Sequence, residues 1–272
     1  MFFTASFYCL LPFIAVCGTI IKNDFRGVLV ALYIALGVCV ALEFVFVPWF
    51  LKVMWPDPSK KSLLLKMICA SLFVAVGVIS MYISDNRTEF AYTMLLGLAF
   101  GWLGDFFLHV NSTQTCFGIG FTSFLIGHIV YIISYVRALS NIFPDYPVIS
   151  LAEVGVALGL GAIALICYNK LKLDMPGIFV KVSMGTYFLI LVTMFIKATA
   201  LGVNYMLSGG EYGVVALLVL VLGSLCFVMS DVVLGVIMFG GLKKNYPIKI
   251  FNIVTYFAGQ VLLASSILFI KG

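Results

Sequence analysis

Apolar stretches of about 20 residues, each long enough to cross a bilayer core of about 30 Å as a helix, run through this chain with only short turns between them. The turns read KNDFRG, WPDPSKK, DNRTE and GGLKKNYP. Inside a bilayer every amide must bond within the protein, so a helix is the form in which a single segment can satisfy itself. Laid along the sequence, the helical ruler marks nine segments, at roughly 3–21, 27–50, 62–83, 90–110, 117–139, 149–168, 177–200, 213–239 and 248–270. The expected fold is an all-α, polytopic transmembrane helix bundle, a single domain over 1–272 that is integral to a membrane and multi-pass. Composition agrees, because 63% of residues are hydrophobic and only 10% are charged, against about a quarter charged in soluble domains. The first segment lacks a basic n-region and an A-x-A-like cleavage site, so it is read as a retained helix and not a secretion signal.

The formal net charge of +5 comes from Lys and Arg in short loops. That pattern suits anionic lipid headgroups and gives no reason to expect nucleic-acid binding. The even connections carry Lys52, Lys60, Lys61, Lys170, Lys172, Lys243, Lys244 and Lys249, eight in all, against five (Lys22, Arg26, Arg87, Arg137 and Lys197) at the odd ones. The positive-inside rule then puts the even connections on the cytoplasmic side. The seven cysteines form no C-x-x-C pair and read as small core residues. With His109 and His128 the only histidines, the chain offers no His-rich metal site. P-loop, H-E-x-x-H and G-x-S-x-G signatures are absent.

Ionisable and hydrogen-bonding residues are expensive inside apolar helices, so those present are informative. The set is Glu43, Lys66, Asp105, His128, Lys181, Tyr187, Asp231, Tyr256 and Gln260. Measured from the face bearing the even connections at about 1.5 Å per residue, Lys66 and Lys181 lie near the surface. Asp105 and Glu43 lie about 8 to 9 Å in, Asp231 and Tyr256 about 12 Å in, and His128, Tyr187 and Gln260 nearer the midplane. A lone Asp near a helix end reads as well as a snorkelling anchor, or as half of a structural ion pair with Lys66, as it does as the wall of a cavity. Helices scattered along the chain that put their polar groups in one layer point instead to a shared polar cavity.

The two aspartates sit in similar settings. GLAFGWLGDFFLHV (97–110) and GSLCFVMSDVVLGV (223–236) both carry Gly, a small residue seven positions later, Asp next, and Leu three beyond. Tyr131 follows Asp105 by 26 residues and Tyr256 follows Asp231 by 25. The pattern is that of a parallel internal repeat about an axis along the membrane normal, with Lys66 and Lys181 in matching places.

Lys66, GLAFGWLGDFFL, FGIGFTSFLIGHIVY, Tyr187 in GTYFLILVTMF, GSLCFVMSDVVL and TYFAGQVLLASS, in that order, resemble the motif set of the lysoplasmalogenase (YhhN-like) membrane family. The resemblance covers about residues 60–270 and leaves 1–60 as an extra N-terminal helix region on a core of about eight helices. Met67 departs from it, since family members often carry Pro at or just after the lysine. The resemblance implies hydrolysis of the vinyl-ether bond of a lysoplasmalogen to a fatty aldehyde and a glycerophosphoethanolamine or glycerophosphocholine. Asp105 and Asp231 would then be catalytic, and Lys66, His128, Tyr131, Tyr187, Tyr256 and Gln260 would bind substrate.

The residues suit that chemistry on independent grounds. Protonating the outer alkene carbon of a vinyl ether gives an oxocarbenium-like cation that water captures, so one acid and one base suffice, with no metal or redox cofactor. Two carboxyls facing one dry cavity take different protonation states and divide those roles, as in glycoside hydrolysis. The expected partners are a lysophospholipid and the bilayer, and a homodimer is compatible with the sequence. A proton-coupled transporter is the alternative, because it too would place Asp, His and Tyr in a repeat-built cavity. An intramembrane aspartyl protease fits less well, since Trp102 stands where a G-x-G-D motif needs Gly and no P-A-L follows.

Overall fold

In the computed structural model, which describes residues 25–110, 113–171, 173–242 and 244–271, all the regular structure is helical. Eight helices long and apolar enough to span a membrane follow one another. They are α1 (Phe25–Met54), α2 (Lys60–Ser84), α3 (Glu89–Val110), α4 (Gln114–Ile142), α5 (Leu151–Leu171), α6 (Gly177–Leu207), α7 (Gly213–Phe239) and α8 (Tyr246–Ser265), the last running into a 3-10 turn, Ser266–Leu268. The expected segment at 3–21 lies outside the described residues. The helices match the other eight expected segments, and most run a few residues past the apolar limits because caps, not hydropathy, end them. Ser59 and Ser62 form a reciprocal capping box at the start of α2, and Thr113 and Asn245 accept backbone N–H groups at the starts of α4 and α8. These side chains bond amides that the first turn leaves without partners.

Helix association in lipid relies on close packing and interhelical hydrogen bonds, because burying apolar surface gains little against acyl chains. The tightest contacts join α3 to α4 and α7 to α8, with α1 on α2, α6 on α7 and α2 on both α3 and α8. The glycines of α3 allow this approach. A Cβ at Gly97 would come within 2.3 Å of the Tyr131 ring, and one at Gly101 within 2.6 Å of Gln260 Nε2. At the opposite end Asn86 Nδ2 donates to the carbonyls of Ile267 (3.0 Å) and Ile270 (2.6 Å), pinning the end of the bundle to the α2–α3 turn. Cys39 and Cys69 are core residues as expected, whereas Cys167 faces outward from α5.

α5 packs mainly on α6 and is otherwise largely exposed. A buried ion pair holds it in place. Lys197 Nζ on α6 donates to both Glu153 oxygens (2.8 and 2.7 Å) and to the Val148 carbonyl. Glu153 also accepts from the Ser150 amide at 2.9 Å and from the Tyr146 hydroxyl at 3.3 Å. Side-chain exposure is 7% for Lys197 and 9% for Glu153, and removing one partner from such a buried pair costs about 3–5 kcal/mol. Lys197→Met is therefore expected to lower the melting temperature in detergent sharply, and the double variant Lys197→Met with Glu153→Leu to recover most of it. If the single variant melts like wild type, the pair does not anchor α5.

Candidate functional site

Two polar clusters form where α2, α3, α4, α6, α7 and α8 converge. In the first, Asp105 takes Lys66 Nζ on Oδ1 at 2.9 Å and the Tyr256 hydroxyl on Oδ2 at 2.6 Å. Gln260 Nε2 donates to the Tyr256 oxygen at 3.1 Å, and the Tyr131 hydroxyl donates to Gln260 Oε1 at 3.2 Å. The series Tyr131, Gln260, Tyr256, Asp105 is thus a chain of donors ending on one carboxylate, an arrangement in which each bond strengthens the next. Tyr256 and Gln260 are one turn apart on α8, which lets both project into the same seam.

The second cluster is centred on Asp231. Its Oδ2 accepts the Tyr187 hydroxyl at 2.5 Å and faces His128 Nε2 at 3.2 Å, and the same imidazole nitrogen is 3.0 Å from the Tyr187 oxygen. Facing a carboxylate, Nε2 is the protonated nitrogen, an assignment made from its partners. The other nitrogen, Nδ1, is buried and makes no hydrogen bond among the described residues. An imidazole held this way presents a lone pair able to take a proton.

Aromatic rings fill the space between the clusters. Phe227 packs edge-to-face on His128 (4.7 Å between centroids) and on Tyr256 (5.4 Å). Phe124 lies against Tyr256 and Phe121 against Tyr187. Phe227 thus stands between Tyr256 of the first cluster and His128 of the second. The polar groups therefore bond directly to one another where an open cavity was expected. Of the ion-paired groups, Lys66, at 14% side-chain exposure, and Asp231, at 9%, are the most accessible, whereas Asp105 is 2% exposed. Near the rim, Ser62 Oγ meets His109 Nε2 at 2.7 Å and Phe50 packs on the His109 ring. The Trp55 and Tyr246 rings pack against each other there at a tilt of 46°, with the Lys249 ammonium over Trp55, as interfacial aromatics do.

All eight residues expected at the site belong to these clusters, but the pairing of the two halves of the chain differs from a simple repeat. Lys181 is exposed and does not stand to Asp231 as Lys66 stands to Asp105. Partners cross over instead. Tyr256 on α8 serves Asp105 on α3, and His128 on α4 serves Asp231 on α7. Sequence reasoning did not anticipate the Glu153–Lys197 pair, because charges near helix ends carry a topology signal that masks such a contact.

Fold and site together define an integral, multi-pass membrane protein whose core holds Asp105, buried, and Asp231, partly buried, each in a polar cluster. The family profile that matches is the YhhN family, over residues 61–267, and the chain belongs to that family. It is the family that contains the lysoplasmalogenases and is associated with hydrolase activity. No match was found among curated proteins or among solved structures.

Proposed function

We propose that the protein hydrolyses the vinyl-ether bond of lysoplasmalogens, releasing a fatty aldehyde and glycerophosphoethanolamine or glycerophosphocholine. The observation that supports this reading best is the pair of carboxylates, Asp105 buried and Asp231 partly buried, each bonded to a tyrosine hydroxyl within a YhhN-family bundle. In this reading Lys66, the cation of the first cluster, meets the lipid phosphate, so that the vinyl ether lies beside the acids and its alkenyl tail runs toward the midplane. Once Lys66 turns to phosphate, Asp105 loses its counter-ion and becomes the group that delivers a proton to the outer alkene carbon. The oxocarbenium-like cation forms next to two carboxyls, a setting that favours positive charge. Water adds to it while the Asp231–His128 pair takes the released proton. The hemiacetal then collapses as its hydroxyl proton passes to the glycerol oxygen.

The test is purified protein incubated with a lysoplasmalogen and, separately, with its saturated alkyl-ether analogue, assayed for free aldehyde. The vinyl ether is expected to react and the saturated ether to remain intact, because only an alkene carbon can accept the proton. A transporter would consume neither lipid.

A further inference from the structure

Asp105 needs a source for the proton it delivers, and the neighbouring α1 carries a carboxyl that the two clusters leave unused. The buried residues of α1 are Cys39, Glu43, Val47, Phe50, Leu51 and Met54. Spaced three or four apart, they form the one face that α1 turns to α2 and α8. Glu43 sits in the middle of this apolar stripe and is 6% exposed. Neither of its oxygens makes a hydrogen bond of ordinary geometry among the described residues. The Cys69 thiol, a weak donor, lies beside it. Cys69 is one turn from Lys66 on α2, so Glu43 faces the same side of that helix as the Lys66–Asp105 pair. The Glu43 and Asp105 carboxyls are near enough to interact electrostatically. Glu43 also lies ahead of the family-matched segment, 61–267, so it comes from a helix that the match does not include.

A carboxylate buried without a cation or a strong donor is far costlier than the neutral acid, which leaves an O–H available. We propose that Glu43 is a third carboxyl of the site and holds the proton that Asp105 takes up when Lys66 turns to the lipid phosphate. This deepens the hydrolase reading and rests on it. In the step, the Glu43 O–H bond breaks and an Asp105 O–H bond forms. Asp105 passes that proton to carbon, the Asp231–His128 pair gains one from water, and exchange with solvent water returns Glu43 to the acid form and His128 to the base form. One water is consumed, and the protein ends as it began.

Infrared spectroscopy of the full chain, comparing wild type with Glu43→Gln, tests the proton directly. Wild type is expected to show the carbonyl band of a protonated carboxylic acid that the variant lacks. Adding the saturated alkyl-ether lysolipid should move that band in wild type and leave it in place in Asp105→Asn. Absence of the band from wild type, or the same shift in Asp105→Asn, overturns the proposal. In the aldehyde assay Glu43→Gln should lower kcat about tenfold or more with KM unchanged. Glu43→Asp, which keeps an acid there, should recover part of the loss. A Glu43→Gln protein with wild-type kcat also overturns it. Failure of wild type to release aldehyde would sink the hydrolase reading instead, while the band comparison would still decide whether Glu43 carries the proton.

Discussion

Asp231→Asn is expected to slow aldehyde release by about a hundredfold or more, the usual loss when a general acid or base is removed, while the lipid still binds. Asparagine keeps the size of aspartate, and its carbonyl oxygen can still accept the Tyr187 hydroxyl that now sits 2.5 Å from Oδ2. The negative charge that holds the His128 Nε2 proton, and so keeps Nδ1 free to accept one, is lost. In the proposed mechanism the lipid headgroup is held elsewhere, at Lys66. Single-turnover aldehyde release together with binding of the saturated analogue separates these effects. Aldehyde release at the wild-type rate in the variant would remove Asp231 from the mechanism. Under the transport alternative, the same substitution would abolish or uncouple vectorial flux in sealed vesicles, and no lipid would be consumed by either form.

Lys66→Met should cost both stability and turnover. Asp105 is 2% exposed, and Lys66 is the cation on its Oδ1 at 2.9 Å. Taking away the cation leaves a buried carboxylate that one hydroxyl cannot compensate, at a cost of about 3–5 kcal/mol. The double variant Lys66→Met with Asp105→Asn removes the stranded charge, so its melting temperature should return close to that of wild type. Activity should not return, because the phosphate contact and the proton carrier are both gone. A stable Lys66→Met protein with unchanged kinetic parameters would make Lys66 a snorkelling side chain.

Element by element, the transmembrane helices could be read from hydropathy because lipid leaves the backbone so few alternatives. Depth along a helix carries part of the site too: it sets Asp105 and Tyr256 at similar levels and Lys66 nearer the surface, and these three meet around the Asp105 carboxylate. Rotation about each helix axis was not legible. Lys66 and Lys181 occupy matching places in the chain, yet one meets an aspartate and the other faces outward, and only packing against neighbouring helices decides which. Partner choice was hidden for the same reason. The matching spacings from Asp105 to Tyr131 and from Asp231 to Tyr256 suggested a repeat but carried no pairing, and the hydroxyl that reaches Asp231 belongs to Tyr187. Glu43 was visible as a costly residue, and its purpose depends on α1 lying against α2, a contact with no local signature.

The crossed partnership of α4 and α8 ties the two halves of the chain, α1–α4 and α5–α8, together like meshed gears. Tyr256 reaches from the second half to Asp105, His128 from the first to Asp231, and Tyr131 from the first to Gln260. Sliding one half past the other by the length of a hydrogen bond would disengage both acids together. The two polar clusters are thus made or broken as a unit, so a lipid that wedges the halves apart at Lys66 would disturb Asp231 as well, although it touches only the first half.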